Sequence, residues 1–90
     1  MLYLVAYDLK RPVQNYSGLF VQIKQTGQWW HYLDSLWIVK SPESLEIFRN
    51  RLFTAIDKND HIIVIDITNK SWNGWLVPEA WNWLNSNRAG

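Results

Sequence analysis

The chain has 90 residues, which suits one small domain that can bury only about 60% of its unfolded surface. Nine Lys and Arg residues balance eight Asp and Glu residues, which argues against a protein that grips long nucleic-acid duplexes by charge alone. The absence of cysteine excludes disulfides and thiolate metal sites. We find neither a secretory leader nor an apolar run long enough to cross a bilayer. We therefore expect a soluble, cytoplasmic protein.

The first half of the chain predicts a strand, a loop and a helix. Residues 2–8, LYLVAYD, are short, apolar and rich in residues that suit a sheet. Pro12 ends this strand because it lacks a backbone N–H. Residues 16–26 carry apolar side chains at helical spacing, and Gly27 suits the end of that helix, where positive φ is common.

The next segment predicts a hairpin and a second helix. Aromatic and β-branched residues flank the pair Asp34–Ser35, which indicates two strands joined by a tight turn. We expect Ser41 to be the N-cap of the following helix, with Pro42 at its first position and Glu43 stabilised by the helix dipole. The expected apolar face of this helix comprises Leu45, Phe48, Leu52, Phe53 and Ile56.

Residues 61–68, HIIVIDIT, predict a fourth strand, so the order is strand, helix, strand, strand, helix, strand. This is the order of the ferredoxin-like βαββαβ fold, an α+β class with a four-stranded antiparallel sheet and two helices on one face. We expect residues 1–68 to form this core and residues 69–90 to add a tryptophan-rich extension with a short helix beginning near Pro78.

The topology predicts specific neighbours. We expect the first and third strands to be parallel neighbours, and the fourth strand to run antiparallel along the other edge of the first. Asp8 then lies near His61, and Tyr3 near Asp66. We assign Leu4, Ala6, Ile63 and Ile65 to the face covered by helices, and Tyr3, Val5, Tyr7, Ile62, Val64 and Asp66 to the open face.

The end of the first strand is the candidate site. Asp8 could hold Mg²⁺, which usually takes one or two carboxylates with waters and phosphates, and a two-fold dimer could supply a second Asp8. Lys10 and Arg11 could then bind phosphate groups, with His61 as a proton-transfer group. The simpler alternative is a strand-end aspartate paired with Lys10 or Arg11.

Two further features allow two interpretations each. Asp66 lies in an isoleucine-rich strand and needs a partner, for which we expect the Tyr3 hydroxyl or a dimer contact. Tyr3, Tyr7 and Trp37 could form a base-stacking platform, as in ferredoxin-like RNA-binding modules. The simpler view is that tryptophans such as Trp72 and Trp75 cover the open sheet face or are buried in a dimer.

Three segments carry a resemblance to a known family: YLVAYDLK, a short helix ending at Gly27, and DSLWIVKSPESLEIFRNRLFTAIDKNDHIIVIDI. Together they resemble the CRISPR-associated protein two superfamily over residues 2–68, and the hairpin WWHYLDSLWIVK is similar to that of its SinR-like branch. The VapD-type ribonuclease toxins are more distant relatives of that superfamily.

The resemblance implies a ferredoxin-like homodimer and a metal-dependent nuclease in which the Asp8 residues of both subunits meet. Our leading hypothesis is therefore a small magnesium-dependent endonuclease that acts on RNA. The alternative is a non-catalytic dimeric module that binds RNA, DNA or a protein partner, and the balanced charge keeps it in contention. Whether the chain is an enzyme is left open at this stage.

Overall fold

A computed structural model describes residues 1–10, 16–25 and 27–88, which form an antiparallel sheet of four strands and three helices, an α+β fold. In chain order the elements are β1 (Leu2–Asp8), α1 (Ser17–Lys24), β2 (Gln28–Leu33), β3 (Leu36–Lys40), α2 (Leu45–Phe53), β4 (His61–Asp66) and α3 (Pro78–Asn87). The predicted strands, the hairpin at Asp34–Ser35 and the helix that begins at Pro78 are confirmed.

The sheet has the strand order β2-β3-β1-β4, and all three neighbouring pairs are antiparallel. The prediction that the first and third strands are parallel is therefore wrong. The crossover through α1 makes β2 run in the same direction as β1, and the tight hairpin then reverses the chain. β3 must consequently run against β1 when it inserts between the two.

The helices α1 and α2 pack together on one face of the sheet. Leu19 and Ile23 of α1 and Phe48 and Leu52 of α2 are fully buried there. The strand residues in this layer are Tyr3, Val5, Tyr7, Trp37, Val39, Ile62 and Val64. The predicted face assignment of β1 and β4 is thus inverted.

Aromatic size explains the inversion. Both faces of β1 are apolar, so alternation alone does not say which face meets the helices. The Tyr3 ring stacks on Phe48 with centroids 5.0 Å apart, and its hydroxyl donates to the carbonyl oxygen of Glu43 at 2.6 Å. The layer beneath the two helices therefore accommodates the larger ring and also satisfies its polar end.

The opposite face is covered in part by α3 and the segment before it. Ala80 and Leu84 of α3 pack with Leu2, Trp30 and Ile38 of the sheet in a second buried cluster. The Trp30 Nε1 donates to the carbonyl oxygen of Ala80 at 3.1 Å. Along β4 this face stays open, because Ile63 and Ile65 are about half exposed.

The ends of α1 and α2 test the cap predictions. Gly27 has φ of 104°, which confirms the predicted positive φ after α1. The predicted cap of α2 is wrong: Ser44 is the N-cap, and its side chain accepts a hydrogen bond from the Ile47 N–H. The Ser41 hydroxyl instead accepts from the Glu43 N–H at 3.1 Å and donates to the Glu43 carboxylate.

Candidate functional site

The β1–β4 ladder brings the predicted site residues together at one end of the sheet. Asp8 lies directly opposite His61, and Tyr3 lies opposite Asp66 at the other end of the pair. Both predicted pairings are confirmed. Arg11, the second predicted phosphate-binding residue, lies outside the described residues.

Asp8 forms an ion pair with Lys10. The Lys10 Nζ lies 2.5 Å from the Asp8 carboxylate, and the side chains of Lys10 and Asp8 are 47% and 66% exposed. Water therefore reaches both charges, and surface pairs of this kind contribute little to stability. This geometry agrees with the simpler interpretation of Asp8 as a strand-end partner of Lys10.

The surroundings of Asp8 offer few protein ligands for Mg²⁺ among the described residues. Asp8, Tyr7 and His61 line a shallow depression of about 310 Å³. Within residues 1–10, 16–25 and 27–88, no three His, Asp or Glu side chains are grouped so that they could hold a metal ion. Mg²⁺ is usually held by one or two carboxylates together with waters and phosphates, so a single Asp8 carboxylate is at the low end of the ligands that it needs.

The neighbouring Asp60 has a structural role that the sequence analysis missed. Its side chain is buried, and its carboxylate accepts from the Lys10 N–H at 2.9 Å, the Tyr16 hydroxyl at 2.8 Å and the Asp57 N–H at 2.9 Å. Asp60 thus ties the chain after β1 to the start of α1 and to the loop before β4. In the sequence, Asp60 ends the polar run KND, and such a run by itself indicates only a connector.

The proposed base-stacking platform is contradicted by burial. Tyr3 is fully buried and Trp37 is 2% exposed, so neither ring can receive a base. The Trp37 Nε1 donates to the Tyr7 hydroxyl at 2.9 Å, and His31 stacks on the Trp37 ring at 3.7 Å between centroids. These aromatic residues belong to the layer beneath α1 and α2.

The hydrogen-bond partner of Asp66 is Thr68, two residues further along the chain. Its carboxylate accepts from the Thr68 N–H at 2.9 Å and from the Thr68 hydroxyl at 2.6 Å. These hydrogen bonds hold the pKa of Asp66 below its ordinary value. The predicted bond from the Tyr3 hydroxyl is wrong, because that hydroxyl donates to Glu43 instead.

A second candidate site lies on the face of the sheet that α3 covers, between the sheet and the segment that leads into α3. It is a groove of about 400 Å³, which we call the tryptophan groove. Its lining includes Leu4, Leu36 and Ile38 from the sheet, and Trp72, Trp81 and Leu84 from the C-terminal part of the chain. An apolar groove of this size can take a small molecule or an apolar side chain.

The tryptophans after residue 70 differ in their burial. Trp72, Trp81 and Trp83 are half-buried against the second cluster, as the simpler interpretation predicts. Trp75 is 100% exposed at the rim of the groove. Composition pointed to an aromatic surface, but the groove itself was missed, since it needs β3 and α3 to meet.

Two cationic residues lie beside the tryptophan groove. Lys70 belongs to its lining, and the Arg88 guanidinium carbon lies 4.6 Å from the centroid of the Trp72 ring. The Arg88 Nη2 also donates to the Lys70 carbonyl oxygen at 3.5 Å. The groove therefore has a mainly apolar lining with Lys70 in it and the Arg88 guanidinium against one of its lining rings.

Comparison with protein-family models, with curated proteins and with solved structures finds no match for this chain. Among the helices of the described residues, none is long and apolar enough to span a membrane. The geometry of the two candidate sites is therefore the basis of the proposed functions.

Proposed function

We propose that this protein is a non-catalytic binding module whose binding site is the tryptophan groove, and that the ligand is a small molecule held mainly by apolar contacts. The observation that carries the proposal is the groove itself, with a volume of about 400 Å³ and an aromatic, aliphatic wall. Small-molecule sites typically have volumes of about 300 to 1,000 Å³ and are lined mainly by apolar side chains.

The chemistry of the lining supports binding rather than catalysis. Among the described residues that line the groove, Lys70 is the one with an ionisable side chain, and none of them is a carboxylate or a histidine. General acid–base catalysis usually requires such groups within hydrogen-bond reach of the substrate. A site of this composition holds its ligand mainly by apolar contact.

The scaffold in this proposal is ferredoxin-like. The order βαββαβ over β1 to β4, the strand order β2-β3-β1-β4 and the packing of α1 and α2 on one face support that assignment. Residues 69–90 are then an addition to a core of residues 1–68. Their function in the proposal is to build one wall of the groove.

The test is a calorimetric titration with 2-naphthol, an uncharged apolar probe. Gly74 lines the groove, and a Cβ atom added there would meet only the Trp81 ring, at 4.0 Å, which is ordinary contact, so we expect the side chain of Gly74→Leu to take up part of the groove. We expect saturable binding to the wild type and about tenfold weaker binding to Gly74→Leu, a loss of about 1.4 kcal/mol.

Gly18→Leu is the matched control. Gly18 is an exposed residue of α1 on the other face of the sheet, and a Cβ atom there meets nothing within 4 Å. This variant should bind 2-naphthol like the wild type. Absence of binding to the wild type, or equal binding to both leucine variants, would contradict the proposal.

The second candidate function is the metal-dependent endonuclease acting on RNA that the family resemblance implies. The specific observation in its favour is the register of β1 and β4, which places Asp8 opposite His61 at an exposed end of the sheet. In this candidate function a homodimer brings two Asp8 carboxylates together, so that the second subunit supplies the second carboxylate ligand of Mg²⁺.

Cleavage of single- and double-stranded RNA and DNA with added Mg²⁺ tests this second candidate. We expect Asp8→Asn to abolish cleavage while the dimer, measured by analytical ultracentrifugation, persists. Asp34→Asn removes an exposed carboxylate at the β2–β3 turn and serves as the control. Equal activity of all three proteins, or a monomeric wild type without activity, would eliminate the nuclease hypothesis.

A further inference from the structure

We propose that the ligand of the tryptophan groove is a small amphipathic anion, with its apolar body along the groove and its charged group beside Lys70 and Arg88. This inference rests on the proposed binding function and specifies the chemistry of the ligand. The inference depends on the two cationic residues beside this apolar site. An anionic group on the ligand would complement their charge, whereas a purely apolar ligand would not.

The position of the two cations is the first step. Lys70 is part of the groove lining, and the Arg88 Nη2 reaches the carbonyl oxygen of Lys70 at 3.5 Å. The Arg88 guanidinium is therefore held next to the backbone of Lys70. The Arg88 guanidinium also lies over the Trp72 ring, whose other contacts are with the second cluster. This stacking orients the guanidinium beside the groove.

The charge of these two groups is not neutralised by an ion pair. Within the described part of the chain, neither Lys70 nor Arg88 forms a salt bridge with a carboxylate. Asp66 is the acidic group that Lys70 influences, since Lys70 helps to lower the pKa of Asp66. The Asp66 carboxylate, however, already accepts two hydrogen bonds from Thr68. A ligand anion therefore meets two cations with little competition.

Polar side chains that line the groove can help to bind the charged group of the ligand. Ser71 and Asn73 line the groove next to Lys70. The Asn73 Oδ1 accepts from the Gly74 N–H at 2.8 Å, so that the Asn73 amide NH₂ is oriented as a donor. Hydroxyl and amide donors beside two cations suit a carboxylate or a similar oxyanion.

The size of the site favours a small molecule over a folded partner. A stable protein interface usually buries about 800 Å² on each partner. The groove is instead a concave site of about 400 Å³ in which a ring of naphthalene size would contact Trp72, Trp81 and Leu84. Naphthalene derivatives with and without a charge are therefore suitable probes.

The experiment compares 2-naphthoate with 2-naphthol by calorimetry at low salt and neutral pH. We expect 2-naphthoate to bind the wild type about fivefold more tightly, because two exposed cations each contribute modestly. The double variant Lys70→Gln/Arg88→Gln should lose this preference and keep its affinity for 2-naphthol. The preference should also decrease as salt screens the charges.

Arg49→Gln/Lys58→Gln is the matched control, since it removes the same two charges elsewhere and neither residue lines the groove. It should retain the preference for 2-naphthoate. Circular dichroism of each variant checks the fold. If Arg88→Gln disturbs the packing of Trp72, Arg88→Lys is the alternative variant, because it keeps the positive charge.

Each remaining outcome overturns the inference. Equal affinity of the wild type for the two probes would leave the proposed binding function intact. It would show that the groove has no preference for an anionic ligand. A preference that survives in Lys70→Gln/Arg88→Gln would place the anion elsewhere. Failure of both probes to bind would reject the inference together with the proposed function.

Discussion

Replacing Arg51 by methionine should destabilise the protein more than any other loss of a surface cation on α2. The Arg51 Nε and Nη2 donate to the two carboxylate oxygens of Glu43 at 2.9 and 2.6 Å. Its Nη1 donates to the carbonyl oxygen of Gln22, to the Gln22 Oε1 at 3.1 Å and to the Gln25 Oε1 at 3.3 Å. One side chain thus connects the segment before α2 with the end of α1.

The size of the expected stability loss follows from the burial of the Arg51–Glu43 ion pair. The side chains of Arg51 and Glu43 are each 19% exposed, which lies between a buried and a surface ion pair. Breaking a buried pair costs about 3–5 kcal/mol, and an exposed pair contributes at most about 1 kcal/mol. We therefore expect Arg51→Met to reduce the free energy of unfolding by about 2–3 kcal/mol, since methionine keeps an apolar side chain at this position but loses the hydrogen bonds and the guanidinium that lies 5.4 Å from the Phe48 ring centroid.

Urea denaturation followed by circular dichroism measures this loss. A reduction of about 2–3 kcal/mol should lower the urea midpoint by about 1–2 M and the melting temperature by roughly 10–20 °C. Arg49→Met is the control on the same helix. Arg49 is exposed and donates only to Asn50 within the described residues, so its loss should change stability by less than about 0.5 kcal/mol. Equal stability of the two variants would refute the argument.

The pH dependence provides a second check. The hydrogen bond from Arg51, helped by one from Ser41 and opposed by burial, holds the pKa of Glu43 below its ordinary value. A depressed pKa in the folded state stabilises the protein above the unfolded pKa of about 4.3, and this contribution disappears as the pH falls through the folded value. The stability difference between the wild type and Arg51→Met should therefore narrow below about pH 4. A constant difference would contradict this role of Glu43.

Two further pairs of substitutions test other details of the fold by the same denaturation assay. Asp60→Ala should cost about 2–3 kcal/mol because it leaves buried donors without their carboxylate, whereas Asp34→Ala, at an exposed turn, should be nearly neutral. Comparable losses would mean that Asp60 is not a structural hub. Gly18→Ala should stabilise α1 by about 0.5–1 kcal/mol, and Gly27→Ala should cost about 1 kcal/mol because its φ is 104°. Effects of the same sign at both glycines would contradict the helix-end geometry.

The resemblance to the CRISPR-associated protein two superfamily and the nuclease hypothesis are still predictions. What the structure adds is the position of Asp8, Lys10 and His61, since Arg11 lies outside the described residues. Asp8 and His61 do come together, but the carboxylate of Asp8 is paired with Lys10 and a single chain offers no metal-binding group among its described residues. The strongest candidate site, the tryptophan groove, is lined by other residues.

The sequence by itself determined the elements and their pairing. Apolar runs of strand length, helical spacing, Gly27 and Pro78 are local signals, because each depends on backbone preferences within a few residues. Matching the fourth strand antiparallel to the first was then enough to place Asp8 opposite His61. The candidate at the strand end was accessible to sequence analysis for that reason.

Only the tertiary structure decided which face of the sheet meets which helices. Tyr3 lies beneath α2 because the large ring stacks on Phe48 and its hydroxyl reaches a carbonyl oxygen, and an alternation that is apolar on both faces does not contain this information. The tryptophan groove likewise needs β3, α3 and residues 70–76 to converge. Contacts between residues distant in sequence create that surface, and local patterns cannot specify them.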